Sequence, residues 1–175
     1  LISSLLFLLV LSLAIGADRG NVLGVPFITF LAPGLISMQV IQQAFSHSSS
    51  SFMIGKIQGN IVDLLYAPLS ATEVTISIAL AAVTRSVMIA IVSIIVFKLI
   101  IDIEISNYFL LIVFTLLSSF ILGNIGIIAG LWAEKFDHMA TVTNFVIVPL
   151  SFLSGTFYSI ERLPELLQMI SKANP

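Results

Sequence analysis

The sequence predicts an all-α integral membrane protein, and three observations carry that prediction. Of the 175 residues, 58% are hydrophobic and only 9% charged, whereas a soluble domain carries roughly 25% charged residues. The apolar residues come in runs of about twenty, the length at which a helix crosses roughly 30 Å of hydrocarbon, and not in the ten-residue alternating segments of an outer-membrane barrel. The acidic residues gather almost entirely in the short connections between those runs, and the mean hydropathy is +1.14.

Residues 1–16 (LISSLLFLLVLSLAIG) form the first run. It lacks a basic flank and several further runs follow it, so it reads as a membrane span rather than a signal peptide. The chain opens at Leu1 inside that run and stops at Asn174-Pro175, as expected of a piece cut from a longer protein. A polar connection over 17–25, with Asp18, Arg19, Gly20 and Gly24, leads to the second span, 26–46. Pro26 suits the first turn, and Pro33 predicts a bend, because proline removes a ladder bond and crowds the preceding turn. Beyond it Gln39, Gln42, Gln43 and Ser46 share one helical face. Amides are costly to present to lipid, so this face either hydrogen-bonds neighbouring helices or lines a substrate path.

Residues 47–51 (HSSSS) read as a serine-rich joint, and 56–73 (KIQGNIVDLLYAPLSATE) as a long amphipathic segment. Wound as one helix over 56–66, Ile57, Ile61, Leu64 and Leu65 fall on one face while Lys56, Asn60 and Asp63 line up opposite. Pro68 ends it, and Ser70 and Glu73 have capping-box spacing for a new helix. Such a segment either presents a rigid lever to a soluble partner or lies in the lipid headgroups.

The third span, 74–101, contains Arg85, which either snorkels to the interface or faces a wet interior. Asp102, Glu104, Ser106 and Asn107 form a short turn, so the third and fourth spans make an antiparallel hairpin. The fourth span, 108–131, carries Gly126 and Gly130 at the small-xxx-small spacing that lets two helices approach closely. Residues 132–139 (WAEKFDHM) form a second polar connection, on the side of the amphipathic segment if each run crosses once. The fifth span, 140–158, is interrupted by Pro149 and followed by an interfacial helix over 160–172, with Pro164 in its first turn and Leu166, Leu167 and Ile170 on one face. Loop cations do not favour a cytoplasmic amphipathic segment: Lys56 and Lys135 lie on its side, Arg19, Lys98, Arg162 and Lys172 on the other.

Much chemistry is excluded. There are no cysteines, hence no disulfide, thiolate metal site or cysteine nucleophile, and a net charge of -2 gives no footprint for nucleic acid. No G-x-x-x-x-G-K-[ST] loop, H-E-x-x-H pair or G-x-S-x-G elbow occurs, and His47 and His138 read as solvated loop residues. The chain is therefore not expected to be an enzyme or to bind a metal.

Several segments together resemble the permease subunits of bacterial ABC type-2 exporters, in the group of drug and nodulation-factor exporters. These are 30–40 (FLAPGLISMQV), 50–70 (SSFMIGKIQGNIVDLLYAPLS), Phe136-Asp137 through Pro149, 155–158 (GTFY), Leu163-Pro164 and Asn174-Pro175. The resemblance implies a six-span half-transporter in the bacterial inner membrane, of which about five spans are here. It implies a homodimer surrounded by lipid, with each copy seated on a separate ATPase subunit that holds ATP and Mg, this chain binding no cofactor itself. It makes 56–66 a cytoplasmic coupling helix, against the loop-charge count, and 160–172 an external re-entrant helix. Lys56, Asn60, Asp63 and Tyr66 become contact candidates, with Ile57, Ile61, Leu64, Leu65, Pro68, Ser70 and Glu73 completing the coupling segment. Gln39, Gln42 and Gln43 become pathway residues. The cargo, whether drug, lipid or glycan, does not carry over. Competing readings are a secondary transporter driven by an ion gradient and a membrane scaffold that does not transport.

Overall fold

The computed structural model describes residues 6, 10, 21–22, 25–100, 107–153, 164, 168 and 171. The first expected span, the acidic turn at 102–106, Gly155 and the expected helix over 160–172 fall outside them, apart from isolated positions. A two-residue antiparallel pairing, β1 (Asn21–Val22) with β2 (Val25–Pro26), closes the first polar connection, Asn21 opposite Pro26 and Val22 opposite Val25. The described chain is otherwise mostly helical: α1 (Phe27–Gln58), α2 (Ile61–Tyr66), α3 (Ala71–Ile100), α4 (Tyr108–Trp132), α5 (Phe136–Val142), a π turn (Thr143–Ile147) and α6 (Val148–Leu153).

The boundaries follow local chemistry. Asn107 caps α4, its Oδ1 accepting from the Leu110 amide at 3.1 Å. Ser70 and Glu73 form the expected reciprocal box at the start of α3: the Ser70 amide and hydroxyl both donate to Glu73 Oε2 at 2.8 Å, and the Glu73 amide donates back to Ser70 Oγ at 3.3 Å.

Three expectations are corrected. The serine-rich joint is not a joint, because α1 is one helix of 32 residues running through Pro33 and the serines. Serine hydroxyls can bond within their own helix, and here Ser51 donates to the His47 carbonyl at 2.8 Å, Ser49 to Ser46 at 3.2 Å and Ser37 to Pro33 at 2.9 Å. The single helix over 56–66 is in fact two pieces, split at Gly59. Pro149 does not interrupt its helix either. Proline has no N–H for the preceding turn, and there the ladder widens, the Val148 amide bonding the Thr143 carbonyl five residues back.

α1, α3 and α4 pack against one another in a three-helix unit, with α1 most extensively against α4. A Cβ at Gly126 would stand 2.6 Å from the Phe45 carbonyl oxygen, and one at Gly130 2.8 Å from that of Ser49. The close approach is thus made within the chain, backbone against backbone. Contacts advance together along α1 and α4, so these helices run parallel. Gly123 meets Ala79 and Ala82 of α3, which runs the other way.

The distribution of side chains is that of a membrane protein. Ser48, Ser49, Ser86 and Ser119 are buried while Phe109, Phe114, Ile128 and Phe145 are each more than 60% exposed. Water would penalise that arrangement and lipid does not. Among the described residues α3, over Ala71–Leu99, and α4 are long and apolar enough to cross a membrane.

Candidate functional site

The elbow that joins α1 to α3 is built from three local devices. Gly59, at φ 77°, takes the left-handed conformation that ends α1, its amide bonding the Lys56 carbonyl at 3.3 Å. After Asn60 one and a half turns of helix follow, closed by the Ala67 amide on the Asp63 carbonyl at 3.1 Å. Pro68 and the Ser70/Glu73 box then start α3. Two hydrogen bonds from Ser70 hold the Glu73 carboxyl below its ordinary value near 4.5.

The elbow has a fixed inner face. Ile61 and Leu64, both half-buried, pack beside Val74 and Ile78 against the cluster of Phe52, Ala79 and Ile127, so this face turns toward the chain's own helices. Splitting the helix at Gly59 also removes Ile57 from that face and leaves it 58% exposed at the end of α1. The outward face consists of Tyr66, 86% exposed, with Ile57, Val62, Leu69, Asn60 and Asp63, all exposed. Pro68, Ser70 and Glu73 are exposed beside it. Leu65 lies on α2, but its side chain is outside the described set. Val62 and Leu69 did not emerge from the helical pattern, because that pattern ran the helix through Gly59.

Lys56 behaves differently from Asn60 and Asp63. Its Nζ donates to the carbonyls of Gly130 and Ala133, both at 2.9 Å, and also to that of Leu131. The last carbonyls of a helix lack intrahelical donors and form its negative pole, so the ammonium closes the end of α4. This contact places the elbow and the α4–α5 connection at one end of the molecule. In that connection His138 belongs to the first turn of α5 rather than to a loop. Its Nδ1 accepts from the Glu134 amide at 3.3 Å and its ring lies 5.4 Å from that of Trp132.

A second polar region lies along α1. Gln39, Gln42 and Gln43 are half-buried, and the same face continues to His47, which is helical and half-buried rather than a solvated loop residue. Arg85 of α3 reaches it, Nη1 lying 3.1 Å from His47 Nδ1. The glutamines do not line the cavity of about 260 Å³ that lies between α1, α3 and α4 around Pro33, Ser37, Val40, Ile94, Phe114 and Ser118. Among the described residues no cluster of histidine, aspartate or glutamate is arranged to hold a metal ion.

Residues 1–175 match the family described as ABC-2 type transporter. Over 174 residues the chain is 29% identical to the inner membrane transport permease YadH of Escherichia coli strain K12, an alignment that covers 99% of this chain and 68% of that relative. The protein of the same name in Shigella flexneri matches equally, at 29% identity and the same coverage. No solved structure matches the chain.

Proposed function

Since the chain belongs to the ABC-2 type transporter family, we propose that it is the permease part of an ATP-driven exporter in a bacterial inner membrane. On this reading it moves a hydrophobic or amphiphilic cargo, it works as a dimer, and a separate ATPase subunit binds ATP and Mg. The elbow is the seat for that subunit. The observation that carries this is its two-sidedness: Ile61 and Leu64 are anchored in the helical unit while Tyr66, Val62, Asn60 and Asp63 stand free on the other side. An exposed tyrosine beside apolar residues and a polar rim is the composition of a contact core.

The elbow then acts as a lever with two outputs. Displacement of α2 passes to α3 through the Ser70/Glu73 box, and to the α1–α4 pair through Lys56. The test is co-purification in uncharged detergent of the full-length permease with its ABC ATPase subunit. Tyr66→Asp and Val62→Asp should each abolish the complex while leaving elution of the permease unchanged. A complex that survives both substitutions overturns the docking role. One observation favours a gradient-driven transporter instead, the ionisable His47–Arg85 contact within the helices. Transport that persists with an ATPase-dead partner and stops on collapse of the proton gradient would establish it.

A further inference from the structure

Arg85 occupies an unusual place. It is fourteen residues from either end of the Ala71–Leu99 segment. At about 1.5 Å per residue that segment is about 42 Å long. Wherever a hydrocarbon layer of roughly 30 Å falls along it, Arg85 is therefore at least about 9 Å inside. The guanidinium does not run to an end of the helix but is held across the interhelical gap by His47.

Arginine has only donors, so His47 Nδ1 must be the acceptor and the ring carries its proton on Nε2. The contact therefore orients the cation without neutralising it. Among the described residues the carboxylates are Asp63, Glu73, Glu134 and Asp137, and all sit at the elbow end. Glu73, which shares α3 with Arg85, is twelve residues away, or about 18 Å. In a second copy of the chain the described carboxylates likewise sit at the elbow end. Yet Arg85 is exposed on its helix, flanked on the same face by Met88 and Val92, both exposed. A cation at this depth is tolerated only against a partner or a wet cavity.

We propose that Arg85, oriented by His47, binds the anionic headgroup of an amphiphile, a phosphate or a carboxylate, with the apolar tail lying along the Met88–Val92 face of α3. The guanidinium fork matches both oxyanions, and one of its five N–H groups is used on His47. The protonated Nε2 of His47 supplies a further donor beside it. This deepens the transporter reading by naming the class of cargo, and it rests on that reading. The experiment therefore measures binding alone, without ATPase or transport, so that its failure leaves the co-purification result standing.

The full-length permease in dodecyl maltoside is titrated with two probes that share one tail, oleoyl lysophosphatidate and monooleoylglycerol. Arg85→Gln, Arg85→Lys and His47→Ala are measured alongside. The phosphate-bearing probe should bind about ten-fold more tightly than the neutral one. Arg85→Gln should erase that ratio, Arg85→Lys should keep part of it, and His47→Ala should reduce it. Millimolar inorganic phosphate should not compete. Equal binding of the two probes by the intact permease overturns the proposal, as does a ratio unchanged in Arg85→Gln. Competition by inorganic phosphate also overturns it, since the site would then serve a free anion. Should Arg85→Gln fail to fold, modification of Arg85 by phenylglyoxal in the intact permease decides: protection by lysophosphatidate alone supports the site, and equal modification with either probe refutes it.

Discussion

Helix α1 meets its two large neighbours by opposite means. Against α4 it lies backbone on backbone: Gly126 and Gly130 have no room for a Cβ, and Lys56 bolts the lower end by taking up the last α4 carbonyls. Against α3 the contacts run through side chains: Phe52 with Ala79 in one core cluster, His47 with Arg85, and a cavity near Pro33 that also borders α4, beside an elbow closed by hydrogen bonds. The first seam has one geometry. The second is held by side chains that can rotate, so under the proposed lever an input at α2 would move α3 relative to the α1–α4 pair.

The largest expected effect tests the fused seam. Gly126→Leu should leave no folded permease, exceeding the cost of about 1–3 kcal/mol typical of overpacking, while Gly126→Ala should fold with a lowered midpoint. Thermal unfolding in detergent distinguishes them. Lys56→Met removes charge-assisted bonds and should cost about 1.5–2 kcal/mol, with faster hydrogen exchange confined to residues around 129–136. An unchanged exchange rate there would mean that the glycines alone fuse the pair.

The elbow side should respond less. Gly59→Ala puts a Cβ into the left-handed conformation, in open space, and should cost about 1 kcal/mol, Gly59→Asn less. Arg85→Gln should change stability by only about 0.6 kcal/mol, the scale of a single interhelical polar contact in a membrane. A loss as large as that of Gly126→Ala would erase the contrast between the seams. Glu73 is the finest test. Its folded carboxyl titrates below its ordinary value near 4.5, so the box is intact above that value and is lost as pH falls through the lower, folded one. Exchange at the start of α3 should therefore rise only in acid, and Glu73→Gln should abolish that pH dependence.

What the sequence made legible depended on how far apart the interacting residues were. The Ser70/Glu73 box spans three residues, and its chemistry is complete within them. Gly126 and Gly130 announced a close approach, but not that Phe45 and Ser49 would be on the other side. The apolar spacing of Ile57, Ile61 and Leu64 suggested one helix through Gly59. The structure settles this in favour of the left-handed glycine. Lys56 reads as part of the polar face of the amphipathic segment and His47 as a solvated loop residue. Their partners lie 74 to 77 and 38 residues away in the chain, a distance over which no local pattern reports.

The π turn before Pro149 bears on how relatives of this chain should be aligned. Met139 and Ile147 are both buried in one core cluster although they are eight positions apart (147 minus 139). At 100° per residue, eight steps put them about 80° from each other, while seven steps would leave them within about 20°. The widened turn absorbs the surplus residue and restores a heptad relation between the two. A relative shorter by one residue between these positions should therefore keep the same core pair, with an ordinary α-turn in place of the bulge, and the gap in its alignment belongs at 143–147.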